Sequence, residues 1–372
     1  MTLTTKLEVR ARFGWSLCLL LLPLSVHAQN DGPKLNDRID AFLERMQLPE
    51  FQMLHLEKQI SRPILIRQKA AYAAKLADLY VNELLTLSDQ ERASALAKRV
   101  RALVKSFPQA NSSLLQVMLL QGDYQRAENL TRKWLTDPES SAKEKTEAGR
   151  ILLDIVPKLS RYHLELHKKV KVANEGLDKL PEGPLKARRE KKIDQLANVA
   201  GRASYFAGWG NYYLGLIKIK SGGKGRLELS RSRVSFRKLF FEEADEKISK
   251  ETTAEEMQLL SQARARAALG LALAEIALGS KDKGALWFNL LRSPDANPDL
   301  RDEIGYWEAL AHIMDNDFKT VEAIAEREIK RFTDAYTNGR VSLCVLLMRA
   351  AYGDSSTPRP TLPQPVRTYL PD

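Results

Sequence analysis

The sequence predicts an all-α protein, an α-α superhelix of stacked antiparallel helix pairs. Three observations carry that expectation. Pro and Gly are sparse through the middle of the chain and gather at junctions, and Ala, Leu, Lys, Glu and Arg fill the stretches between them, a composition that favours helix. Apolar residues recur at spacings of three and four, and no convincing alternating run for a sheet occurs. With 372 residues and 44% hydrophobic content the chain has material for a large core, and length alone allows two domains.

At the N-terminus, Lys6, Arg10 and Arg12 precede an apolar stretch from Phe13 to Leu24 and then Ser25-Val26-His27-Ala28. That order predicts a signal peptide over residues 1–28, cut after Ala28, because Val26 and Ala28 supply the small residues a signal peptidase requires. The apolar stretch falls short of the roughly 20 residues that span a bilayer, so cleavage is favoured over a permanent anchor. Cys18 lies inside that stretch and Gln29 follows the cut, which argues against a lipid anchor. The expected location is periplasmic or secreted. No later segment is long and apolar enough to cross a membrane. Only Cys344 would remain after cleavage, so no intrachain disulfide is expected.

Residues 29–353 are read as the helical domain, with a subdivision near 181–184. Its first helix carries Leu35, Ile39, Phe42, Leu43 and Met46 on one apolar face and stops before Pro49. After Pro63 a longer helix runs through Ala70, Ala74, Leu76, Leu79 and Leu84. Ser88 and Glu91 are spaced as a capping box for a third, which carries Leu96, Val100, Leu103 and Val104 and ends before Pro108. Further breaks are expected at Gly122-Asp123, Asp137-Pro138, Pro181 to Pro184, Gly222-Gly223, Gly279 to Lys281 and Ser293 to Pro298. Short connections make successive helices antiparallel neighbours, and stacking the pairs buries the faces that one pair leaves open.

Leu114-Leu115-x-x-Met118, then Gly122-Asp123-Tyr124-x-x-Ala127, then Trp134 and Pro138, resembles one tetratricopeptide repeat, with Asn111 where the consensus tryptophan stands. In that family a small residue near the turn lets two helices approach, an aromatic plugs the turn, and a small residue in the second helix permits close packing. The resemblance therefore places Ala127 against the preceding helix near Leu114 and Met118, with Tyr124 closing the turn. Weaker relatives are Tyr213-Leu214-Gly215 leading to Lys220-Ser221-Gly222, and Trp307-x-x-Leu310-Ala311 leading to Asp317-Phe318 and Ala323, with Leu269-Gly270 before Gly279 as a third. Their starts are not evenly spaced at the ~34 residues of regular repeats. The resemblance covers about half the chain, and it implies a protein-interaction superhelix without chemistry of its own.

The tail, residues 354–372, holds Pro358, Pro360, Pro363, Pro365 and Pro371 and is expected to be disordered or polyproline-like. The helix before it, Asn338 to Tyr352, is apolar where a solenoid's last helix is normally polar. Leu343, Leu346 and Leu347 are expected to stay partly uncovered as a self-association site, or else to pack on the helix around Val321 and Ile324.

Chemical constellations are thin. His163 and His167 share a helix face, but Leu164 stands where a zincin places its glutamate and no third ligand is evident. Asp295, Asn297 and Asp299 open like a calcium loop, which then fails at Leu300 and Tyr306. There is no Gly-x-Ser-x-Gly elbow, and Gly222-Gly223-Lys224-Gly225 follows helix and lacks a P-loop's spacing. Neither metal, cofactor nor catalytic residue is assigned. Tyr205, Trp209, Tyr212 and Leu216 recur at helical spacing and read as core ahead of a stacking platform. Basic residues concentrate at Lys186, Arg188, Arg189, Lys191 and Lys192 and again from Lys218 to Lys238 in a chain of net charge +11. The expectation is an exported, non-enzymatic scaffold holding a protein or peptide partner. The alternative is an accessory module binding an anionic glycan through Arg188, Arg189 and Lys192. The export signal disfavours nucleic acid.

Overall fold

The computed structural model describes residues 32–87, 89–136, 141–177, 180–240, 262–292, 298–315, 317–331, 343–344 and 346–347. Residues 1–28, read as a signal peptide, the Pro-rich residues 354–372, the expected breaks at Asp137-Pro138 and Ser293 to Asn297, and Ser88 lie outside them. Among the described residues there are twelve α-helices, one 3-10 turn and no strand. They fall into two compact units, residues 1–115 and 116–372.

The first unit holds α1 (Gly32–Arg45), α2 (Pro49–Ser61), α3 (Ile66–Thr86) and α4 (Gln90–Ser106), each packed on the next, with a 3-10 turn at Pro108–Ala110 against α3 and α4. Leu56, Leu76, Tyr80, Val81 and Val100 form its core. Two expectations are corrected here. The α1 face is only partly covered, since Leu43 is buried while Phe42 and Met46 are exposed. The α4 cap is Asp89, whose carboxylate accepts from the Glu91 and Arg92 amides at 2.9 and 3.2 Å, which puts Glu91 one position too early for a capping box; Ser88 itself lies outside the described residues.

The second unit begins inside α5 (Ser113–Thr136) and continues through α6 (Ala142–Glu175), α7 (Pro184–Lys220), α8 (Arg226–Arg237), α9 (Gln262–Ala277), α10 (Lys281–Leu291), α11 (Pro298–Met314) and α12 (Phe318–Arg331). Helix α5 runs without interruption through Gly122-Asp123, so the predicted break there does not form. The reason lies in phase. Val117, Leu120, Tyr124, Ala127, Thr131 and Trp134 are all buried and follow one another at steps of three and four, while Gly122 points to solvent.

Helices α6 and α7, of 34 and 37 residues, make a long antiparallel hairpin joined by residues 176–183. The stretch around 181–184 is thus the loop of one packed pair, and the boundary between units falls at Leu115 instead. Burial on α7 is graded. Its first turns bury little, whereas Phe206 to Leu216 is buried throughout. Here α6, α8 and α9 close around it. A Cβ on Gly208 would stand 2.6 Å from the Phe236 ring, and one on Gly270 only 2.3 Å from it, so this fully buried α8 side chain is gripped between α7 and α9 where neither presents a side chain. Gly210 likewise leaves room for Val156 of α6.

The last four helices have the shorter lengths expected of helix pairs. Gly222, φ +76°, and Gly279, φ +90°, end α7 and α9. Each end carries the paired hydrogen bonds of a Schellman cap: Gly223 and Ser280 amides donate to the Lys218 and Glu275 carbonyls, both at 2.8 Å. Leu343, Leu346 and Leu347 are buried. Their burial agrees with the second of the two readings, in which these leucines are core; the rest of the stretch Asn338 to Tyr352 apart from Cys344 lies outside the described residues.

Candidate functional site

The residues assigned to repeat packing divide in two. Leu114, Met118, Gly122, Tyr124, Ala127 and Trp134 all lie on the single helix α5. At about 1.5 Å per residue, Ala127 sits roughly 20 Å along the axis from Leu114 and 14 Å from Met118, so it cannot pack on either. Tyr124 closes no turn; its ring lies 4.8 Å from that of Phe206 on α7. Leu214 and Gly215 on α7, and Trp307, Leu310 and Ala311 on α11, do precede helix–turn–helix connections and are buried. A Cβ on Gly215 would stand 2.8 Å from Leu229, which shows how closely α8 approaches α7 there. Thus the two weaker segments form helix pairs and the best one does not.

A regularity the sequence reading missed joins the last two pairs. Arg266 pairs with Glu303 at 3.0 Å, Lys281 with Asp317 at 2.9 Å and Arg292 with Glu328 at 3.3 Å, at sequence offsets of 37, 36 and 36. The signal was charge complementarity at a fixed offset, hidden by anchoring on Leu269 and Leu310 instead. Arg292 and Arg327 together face the buried carboxylates of Glu308 and Glu328, with Glu328 pressed on Gly305. Such a buried network demands geometry more than it adds stability.

Where α5, α7 and α11 meet, polar and aromatic groups are interlocked. Glu128 accepts from the Tyr213 hydroxyl and from Arg132, each at 3.2 Å, and the Arg132 guanidinium lies 5.5 Å from the Trp307 ring centroid. Burial works against the Arg132 charge, but Tyr213 and Glu128 outweigh it and raise its pKa. Burial, reinforced by Glu128, pushes the Tyr213 hydroxyl well above its ordinary value. Through Glu128 these groups tie α5 to α7. Trp209 and Tyr212 are buried beside them and Tyr205 is half-buried, which is the core reading of that stripe.

His163 and His167 stack with centroids 5.9 Å apart. His163 is buried and its Nδ1 donates to the Ala200 carbonyl at 3.0 Å. Burial lowers its pKa, with Lys238 and His167 adding to the effect, so the neutral ring is favoured. Among the described residues no group of three His, Cys, Asp or Glu side chains converges on one point.

Arg188, Arg189 and Lys192 are exposed on the first turns of α7. The hairpin brings them beside the end of α6, where Lys168 and Lys171 are also exposed. All lie within about 14 Å of the connecting loop along the helix axes. Between Lys168 and Lys192 the sequence holds nine Lys or Arg against four Asp or Glu. Two of the cations are engaged locally, Lys169 by Glu165 and Lys186 by Glu182. Val172 and Leu185 are exposed at the same end. The sequence displayed the α7 cluster; the convergence with α6 comes from the hairpin.

No family model, curated protein or solved structure matches this chain. No helix among the described residues is long and apolar enough to cross a membrane.

Proposed function

We propose that the protein is an exported, non-enzymatic helical scaffold that holds an acidic glycan at the basic end of the α6–α7 hairpin. The observation that carries this reading is the convergence of Lys168 and Lys171 from one helix with Arg188, Arg189, Lys191 and Lys192 from the other, all exposed. A cluster of one sign draws an anionic polymer toward it from solution, and several weak contacts held on one rigid element add up. The exposed Val172 and Leu185 offer apolar surface between the charges. The tetratricopeptide resemblance implied a protein-interaction superhelix instead, but its best-matching segment, around Gly122, lies inside the single helix α5.

The test is binding of the full chain to a fluorescent acidic polysaccharide such as polygalacturonate. Binding is expected at low ionic strength and should weaken steeply above physiological salt, where the screening length drops below about 8 Å. Arg188→Glu, Arg189→Glu and Lys192→Glu together should abolish it with the melting temperature unchanged. Binding that survives this triple reversal would sink the proposal, as would none at low salt. Export is tested by sequencing the N-terminus of the mature protein, expected at Gln29.

A further inference from the structure

Where α6, α7 and α8 meet, well up the hairpin from its basic end, there is a cleft of about 280 Å³. That volume equals about nine waters at ~30 Å³ each and sits at the small end of ligand pockets. Each helix turns one in-phase stripe toward it: Ser160 and His163 of α6, Ser204 and Asn211 of α7, and residues 230, 231, 234 and 235 of α8 with Lys238, which caps its C-terminus. Four lining residues are serines, two are cations and none is acidic. This is an unusual lining for a helix junction. A few residues away, on the other side of α8, Phe236 fills the space between α7 and α9 so tightly that two glycines are needed. The cleft side carries hydroxyls and charge instead of packing.

The polar groups have capacity to spare. The Ser204 hydroxyl donates to the Ser235 carbonyl at 2.9 Å, which leaves its lone pairs free to accept. Asn211 is 3% exposed and spends its amide nitrogen on the Ala207 carbonyl at 2.8 Å, leaving its oxygen as an acceptor. His163 uses Nδ1 on Ala200, so Nε2 is the acceptor that remains on the neutral ring. Arg231 of α8 and Lys238, its C-cap, stand about two turns apart along the helix and are exposed. Among the described residues, Glu228 pairs with Lys218 and also acts electrostatically with Arg231, and Glu275 stands 3.6 Å from Arg233. Leu164 and Val234, 57% and 46% exposed, add apolar surface to the lining.

From this arrangement we infer that the cleft binds a small polyhydroxylated anion, a sugar phosphate or sugar acid. Its oxyanion meets Arg231 and Lys238, and its hydroxyls meet the serines, Asn211 and His163. Hydroxyl-to-serine, hydroxyl-to-amide and hydroxyl-to-imidazole pairs suit a polyol because every partner accepts and most also donate. Leu164 and Val234 then cover part of its carbon skeleton. The inference does not depend on the hairpin end, whose cations lie outside the cleft.

Isothermal titration of the full chain at pH 7 and low ionic strength tests it with four probes: glucose 6-phosphate, glucuronate, glucose and inorganic phosphate. At least one sugar anion should bind, at least tenfold more tightly than glucose and than inorganic phosphate. Which of the two binds decides between a phosphoryl and a carboxylate headgroup. Arg231→Glu with Lys238→Glu should weaken that binding at least tenfold. If that pair disturbs the melt, Arg231→Gln with Lys238→Gln is used instead, and should weaken it at least fivefold. Arg188→Glu, Arg189→Glu and Lys192→Glu should leave it unchanged. No heat from either sugar anion, equal binding of glucose or phosphate, survival of binding in both α8 variants, or its loss on reversing the hairpin end would each overturn the inference.

Discussion

Gly122 and Gly279 look alike in the sequence, each a glycine followed by a polar residue in the middle of helix-forming residues, yet one is inside a helix and the other ends one. Around Gly122 the buried stripe keeps step on both sides, and Tyr124 must already be in the core two residues later. No room is left for the chain to reverse. At Gly279 the next residues are Ser280 and Lys281, and Gly279 takes φ +90° so that two carbonyls of α9 are satisfied by the amides that follow. Local punctuation worth about 1 kcal/mol yields when a continuous apolar face is at stake, and acts when it is not. Helix α6 makes the same point, running through Pro157.

Removing packing outright tests that claim most severely. Phe236→Ala should cost about 3–5 kcal/mol in urea unfolding, because the space between Gly208 and Gly270 has no other side chain to fill it. A loss under about 1 kcal/mol would show that this contact is not what holds α8 between its neighbours. Ala127→Phe, at a fully buried position on α5, should cost on the order of 1–3 kcal/mol by overpacking.

The two glycines themselves give the sharpest contrast. Gly279→Ala should destabilise by more than about 1 kcal/mol, since the side chain must enter the left-handed region. Gly122→Ala should stabilise by about 0.5–1 kcal/mol, because a Cβ there meets nothing within 4 Å and alanine is the better helix former. If both variants lose stability, α5 contains the tetratricopeptide turn after all.

The smallest effect concerns the α11–α12 turn. The Lys281 ammonium, helped by Thr320, holds the Asp317 carboxyl at about 2 against an ordinary 3.8. Its folded value is depressed, so its contribution is complete above about pH 4 and is lost as pH falls through about 2. The difference in melting temperature between the wild type and Asp317→Asn should therefore shrink between pH 5 and pH 2, and a constant difference would deny the pairing its role.

Much of the fold was legible. Pro49, Pro63, Pro184 and Gly222 each sit where one helix stops or the next starts, because proline removes a donor and glycine alone enters a left-handed cap without strain. The α7 cations were legible as a cluster. The cleft was not. Ser160, Ser204 and Ser230 are dispersed singly along the chain, and nothing local distinguishes them from solvated serines.

By itself, then, the sequence determined the helical class, most of the helix ends and the character of each face, since these depend on propensity, caps and periodicity within a few residues. Which breaks were real, which leucines were covered at Leu343 to Leu347, and which distant polar groups share a cleft were decided only in the tertiary structure. Burial depends on what lies across the contact, and for α7 that is supplied by α5, α6, α8, α9 and α11, down to Trp307 against Trp209, nearly a hundred positions apart.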